Sequence, residues 1–345
     1  MRYLRLLPIL FIVLSCEVYE DAERLDHTFY VRNKGADMPV YMRGNISSKV
    51  VILIVHGGPG GNGLEYRDGL WSIDLEKKYA VAYWDQRGQG MSQGKYDASS
   101  VTVDTMVSDM DAVVKVLKAK YGDDGDIFAL GHSWGGTLTA KYVTTANLQY
   151  NLKGWIESNG AHDNPKNDKE ATKMFKSVAQ EQISLGNNTN NWENILDWVS
   201  EIDINNISDS QSLELNQKAF EVEDWLIEDG IMQKGEEGGN VSSFFFGPIN
   251  PLTSYLIGNA TNSLLSKEVE ATALTDQLYK VKIPVLVLAG KYDFVVPPSL
   301  AYDAFYSVSS TSKKIVLFEK SGHSPMNNEW RKYTDEVIRF VEANR

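Results

Sequence analysis

The chain has 345 residues, with 34 Lys plus Arg against 46 Asp plus Glu, five His, one Cys and a formal charge of −12. An acidic balance of this size excludes the basic footprint that a nucleic-acid partner requires. The single cysteine excludes a disulfide framework and any multi-thiolate metal site. The charge is also local: residues 151–280 hold 9 basic and 21 acidic side chains, while the remainder holds 25 of each.

Arg2 and Arg5 precede an apolar run from Leu6 to Leu14, broken only by Pro8. A positive start and a short apolar stretch describe a secretory signal, and nine residues are too few to span a bilayer as a helix. The end of that run, Val13-Leu14-Ser15-Cys16, resembles the lipobox of bacterial lipoproteins, which implies that Cys16 carries a lipid and becomes the new N-terminus. The expectation is a signal peptide over residues 1–15 and an exported protein tethered to a bacterial membrane by that lipid alone. Residues 16–26, rich in Glu17, Glu20, Asp21 and Glu23, read as a linker.

From residue 27 onward, strand-like and helix-like segments alternate. Thr28 to Arg32 and Pro39 to Arg43 flank a Lys-Gly-Ala-Asp turn and predict an antiparallel hairpin. Val50 to Val55 is continuously apolar and β-branched, as a strand buried on both faces should be, and Ala80 to Trp84 is similar. Val103 to Tyr121 carries apolar residues at helical spacing. Asp126–Leu130, Gly154–Ile156, Val285–Ala289 and Lys314–Phe318 complete the strands. This is an α/β pattern with a mostly parallel sheet.

Between 163 and 278 the strand signal disappears. Helical stretches at 168–184, 191–202 and 211–229 accompany an aromatic patch, Phe244-Phe245-Phe246. The expected organisation is a sheet-based core, 27–162 with 279–345, carrying a helical lid over 163–278.

Gly131-His132-Ser133-Trp134-Gly135 follows a strand and opens a helix, the G-x-S-x-G context in which a sharp turn exposes a strained serine. A serine nucleophile needs a base, and the base needs an orienting acid. His323 lies in a Gly-bounded loop after the last strand, and Asp293 follows the strand Val285–Ala289; both fall at the C-terminal edge of the sheet, beside Ser133. His56-Gly57-Gly58-Pro59-Gly60-Gly61 lets backbone N–H groups approach a developing oxyanion, which points to Gly58 and Trp134 as donors. The glycines lack the G-x-G-x-x-G order of a dinucleotide site. A metal site at His56 and His132 would need a third ligand, so neither metal nor organic cofactor is expected. His132, the neighbour of Ser133 along the chain, reads as a packing residue, and His162 as part of a loop.

The ordered blocks HGGPG (56–60), DQRGQGMS (85–92), GHSWGGTL (131–138), GKYD (290–293) and SGHSP (321–325) resemble the prolyl iminopeptidase-like branch of the α/β-hydrolases. The resemblance covers roughly 27–160 and 280–345. It implies a mostly parallel central sheet with helices on both faces, a helical lid, a Ser133–Asp293–His323 triad, and release of N-terminal residues from peptides. It implies structural roles for Asp85 and Arg87 beneath the site. It also implies lid glutamates that hold a free α-amine. Glu221, Trp225 and Glu228 share a helix face and are the first candidates for that role; Glu193, beside Trp192, is the second. Two other readings stay open: a carboxylesterase or related hydrolase of small ester or amide substrates, and a non-catalytic binding lipoprotein.

Overall fold

The computed structural model describes residues 24–67, 69–122, 125–236 and 251–345. The expected signal peptide (residues 1–15), Cys16, linker residues 17–23 and Phe244–Phe246 lie outside the described residues.

One nine-stranded sheet organises the chain, in the order β1-β2-β4-β3-β6-β7-β8-β9, with short β5 (Gln93–Gly94) pairing β2. β1 (Arg24–Asn33) and β2 (Ala36–Asn45) form the hairpin, and β2 runs antiparallel to β4 (Ala80–Trp84). β3 (Val50–Val55), β6 (Asp126–Ser133), β7 (Gly154–Gly160), β8 (Val285–Gly290) and β9 (Lys313–Phe318) extend the sheet in parallel. Residues 24–26, assigned above to the linker, instead start β1: Arg24, Leu25 and Asp26 pair with Asn45, Gly44 and Arg43. Their charge belongs to a mostly exposed edge strand, where polar side chains discourage pairing with other chains.

The apolar run of β3 is buried on both faces. Val51, Leu53 and Val55 pack with α2 (Val103–Tyr121), α3 (Trp134–Thr144) and α8 (Pro298–Ser307). Val50, Ile52 and Ile54 pack with α1 (Leu70–Lys78) and α10 (Trp330–Asn344), which follows the single-turn α9 (Pro325–Asn328). Period-two alternation thus serves two helical layers at once.

Between β7 and β8 run α4 (Asn164–Leu185), α5 (Thr189–Ser200), α6 (Asp209–Glu228) and α7 (Pro251–Glu270). These segments have their own apolar cluster, including Phe175, Trp192, Leu215, Val222 and Leu226, into which Phe294 of the β8 loop inserts. The chain leaves and rejoins the sheet at one place. Asn164 N donates to Thr272 O at 2.9 Å and Leu274 N donates to His162 O at 3.0 Å.

The loop after β4 is tied from below. Asp85 accepts from Gly63 N at 2.8 Å and Met91 N at 2.7 Å, and burial pushes its carboxyl up to about 6 despite those donors. Arg87 forms a fully buried two-pronged pair with Asp109 of α2, at 2.7 Å on each arm. Arg87→Leu leaves Asp109 buried without its partner and is expected to cost about 3–5 kcal/mol, measured by denaturant unfolding; a loss below about 1 kcal/mol contradicts this.

Candidate active site

Ser133 ends β6 and caps α3 with φ 56 and ψ −124. A residue with a Cβ rarely occupies that region, and such strained residues cluster at functional sites. The local sequence makes the turn possible. A Cβ at Gly135 would collide with the carbonyl oxygen of Val55, and one at Gly136 with the backbone of Gly160. The register between β6 and β7 shifts at His132/Ser133, and Ala161 N then holds Ser133 O at 3.1 Å.

Asp293 and His323 come together as expected. The His323 Nδ1–H donates to Asp293 Oδ2 at 2.9 Å and Oδ1 at 3.1 Å; Asp293 is fully buried and His323 nearly so. Asp293 Oδ1 also accepts from Val295 N at 2.9 Å and Val296 N at 2.7 Å. Asn159 Nδ2 donates to Asp293 Oδ2. The acid is therefore fixed by β7 and by its own loop.

The His56–Gly61 loop lies against the serine. A Cβ at Gly57 would stand 3.2 Å from Ser133 Cβ, and Gly58 has φ +129, where glycine is required. Gly60 N donates to Gln89 Oε1 at 2.6 Å, and Trp134 Nε1 donates to Gln86 Oε1 at 2.8 Å, so the loop after β4 braces both expected oxyanion donors. Gly58, Ser133 and Trp134 line a cavity of about 560 Å³, whose lining also includes Asp168, Asp209 and Glu270. Burial raises the Asp168 carboxyl; burial and the nearby Asp209 and Asp168 raise that of Glu270. Among the described residues, no group of three or more His, Cys, Asp or Glu side chains is arranged to hold a metal ion.

The expected amine-binding residues are not at the site. Glu221, Glu228 and Glu193 are exposed; Glu221 lies near Lys218, at 3.9 Å, and Trp225 packs edge-on against Trp192. The α6 carboxylate that reaches the site is Glu223, which accepts from His323 N at 3.1 and 3.2 Å. Burial and the charge of Asp293 push Glu223 well above the usual carboxylate range, against the pull of the His323 and Phe294 N–H groups. The signal was present in the sequence. Leu215, Ala219, Val222 and Leu226 mark the buried stripe of α6, and Glu223 borders it, whereas Glu221 and Glu228 fall outside it.

Two histidines keep the packing and loop places expected of them and add hydrogen bonds. His132 is hydrogen-bonded at both ring nitrogens, to Tyr66 and to the His323 main chain. His162 is fully buried at the base of the helical segment, with Nδ1 2.6 Å from Glu157 Oε1.

A model of the family "Serine aminopeptidase, S33" matches residues 47–210. A proline iminopeptidase of Saccharolobus solfataricus is 25% identical over 294 residues, 84% of each chain. A probable aminopeptidase of Bacillus subtilis is 24% identical, covering 84% of this chain and 88% of its own. Among solved structures, a proline iminopeptidase-related protein from Thermus thermophilus matches with TM-score 0.58 at 17% identity, over 93% of this chain and 98% of its own. An esterase from Exiguobacterium antarcticum matches with TM-score 0.58 at 18% identity, over 92% and 100%. The protein is an α/β-hydrolase. Within that class it resembles proline iminopeptidases in sequence.

The His162–Glu157 pair sets a pH dependence of stability. Burial alone lowers the imidazole, but Glu157, with Asp163 and Asp303 behind it, outweighs burial and raises His162 above 6.5. A raised folded-state value means stabilisation complete below the unfolded value and lost as pH rises through the folded one. Unfolding free energy is expected to fall as pH rises above about 6.5, and His162→Gln to remove that fall. An equal fall in the variant contradicts the assignment.

Proposed function

We propose that Ser133, His323 and Asp293 act as nucleophile, base and orienting acid of a serine hydrolase that releases N-terminal residues from peptides with a free amine. The observation that carries the reading is the Asp293–His323 pair, whose histidine main chain is hydrogen-bonded to His132, the chain neighbour of a serine in a strained strand-to-helix turn. In this mechanism His323 Nε2 takes the Ser133 proton as Oγ attacks the carbonyl carbon. The Gly58 and Trp134 N–H groups stabilise the resulting oxyanion. His323 then gives the proton to the leaving amine, and water repeats the sequence on the acyl-enzyme.

Glu223 supports the aminopeptidase reading. A carboxylate made costly by burial and by Asp293 regains its charged form when a cation arrives. The carboxylates in the cavity lining, and the acidic balance of residues 151–280, favour a cationic substrate in the same direction. One observation favours an esterase instead: Glu223 is already satisfied by main-chain N–H groups, and a latch of this kind serves an ester site equally well.

A fluorophosphonate probe is expected to label wild type and not Ser133→Ala; equal labelling of both defeats the nucleophile assignment. Asp293→Asn is expected to reduce kcat by about 10⁴-fold, since the wrong imidazole tautomer is then favoured. Aminoacyl nitroanilides with free and acetylated amines, beside nitrophenyl esters, separate peptidase from esterase. The aminopeptidase reading expects acetylation to abolish amide turnover, and Glu223→Gln to raise KM for the free amine while sparing ester turnover. Undiminished turnover after acetylation overturns it.

We further propose that a lipid on Cys16 anchors the protein to a bacterial envelope membrane. Among the described residues, no helix is long and apolar enough to cross a membrane. Cys16→Ser is expected to move the protein from the membrane fraction to the soluble one; unchanged membrane partition rejects the anchor.

A further inference from the structure

Tyr66, from the short helical turn Gly63–Tyr66, meets His132 between two loops of the site. Gly57 N–H donates to the Tyr66 hydroxyl oxygen at 2.9 Å. Tyr66 Oη and His132 Nδ1 are 2.7 Å apart, and His132 Nε2 lies 2.8 Å from the carbonyl oxygen of His323. A carbonyl only accepts, so Nε2 carries the proton. Burial, with His323 as the next cause, drives His132 down to about 3, so the ring is neutral at any working pH. A neutral ring protonated at Nε2 accepts at Nδ1, which fixes the direction of every bond: Gly57 N–H to Tyr66, Tyr66 O–H to His132, His132 N–H to His323 C=O.

The chain has a defined length and no slack. The His132 and His323 rings lie 4.8 Å apart, Tyr66 packs edge-on against His132 at 5.7 Å, and His132 is buried. A Cβ at Gly57 would stand 3.0 Å from the Tyr66 oxygen and 3.5 Å from His132 Nδ1, so the loop approaches the pair as backbone only. On one side this chain holds the peptide that leads into Gly58; on the other it holds the main chain of His323. His132 adjoins Ser133 in sequence, so three loops share one small polar junction.

We propose that Tyr66 and His132 form a positioning strut that sets the separation between the Gly57–Gly58 amides and the His323 loop, and so aligns oxyanion donors with the base. The inference rests on the triad reading above. Neither residue transfers a proton to substrate; both act through the loops they join. Preorganised donors lose effect when displaced by a fraction of an ångström, whereas cavity walls that the strut does not touch keep their places.

The test compares His132→Leu, His132→Gln and Tyr66→Phe by nitrophenyl ester kinetics and by rate of fluorophosphonate labelling. His132→Leu is expected to lower kcat about 100-fold with KM within about twofold of wild type. Tyr66→Phe, which removes a single oxygen, is expected to lower kcat in the same sense by a smaller factor. His132→Gln retains a donor and an acceptor and is expected to recover most of the loss. Circular dichroism and thermal unfolding identify variants that fail to fold, and Tyr66→Phe carries the test if His132→Leu is one of them. Wild-type labelling that Ser133→Ala abolishes leaves the triad reading intact; folded His132→Leu and Tyr66→Phe that then label and turn over at the wild-type rate overturn the strut. An absence of Ser133-dependent labelling in wild type overturns the triad reading, and the strut with it.

Discussion

The backbone of Ser133 sits where a residue with a Cβ costs of the order of 1–3 kcal/mol, and the surrounding structure is arranged to hold it there. Gly135 and Gly136 let α3 approach β3 and β7 too closely for any side chain at those positions. Close approach aims the helix N-terminus at the serine and stacks the Val55 carbonyl under the first turn. The strain is offset by the buried sheet on either side, since β6 pairs with β3 and β7 along its length. A less deeply buried strand would relax the turn and release the serine from its exposed position.

Around that point, polar groups are fixed in pairs and not left to solvent. Asp293 takes donors from β7, from its own loop and from His323. Asp85 and Gln86 hold the loops that carry the proposed oxyanion donors, and Arg87 locks their base to α2. Each group is buried, and each would be costly if left without its partner. The rigidity of the site follows from that cost.

Much of the frame was legible in the sequence for a simple reason: both-face burial writes continuous β-branched runs, and β3, β4 and α2 fall within the expected bounds. The candidate site was legible because glycines at sharp turns and polar residues at strand ends are visible along the chain. The acidic residues of α6 were not resolved correctly. Charge periodicity alone selected Glu221 and Glu228, whereas the inward face is set by Leu215, Ala219 and Val222, and Glu223 borders that stripe. His132 is buried and packed as expected, but its hydrogen bonds were not legible, because the rule that chain neighbours on a strand point apart says nothing of bonds made by the side turned away. The loop place of His162 was legible, but its pairing with Glu157 was not, since the two side chains meet only when β7 ends and the chain turns.

The shared root at His162–Asn164 and Thr272–Leu274 has an evolutionary consequence. A segment that departs and returns through one pair of adjacent backbone crossings is a cassette: its length and content can vary without altering the closure of the sheet beneath. Two conditions limit the exchange. Any replacement must offer an apolar socket to Phe294 and a carboxylate, or an equivalent acceptor, to the N–H of His323. Those two contacts are the docking specification that any exchanged segment would have to meet on the sheet beneath it.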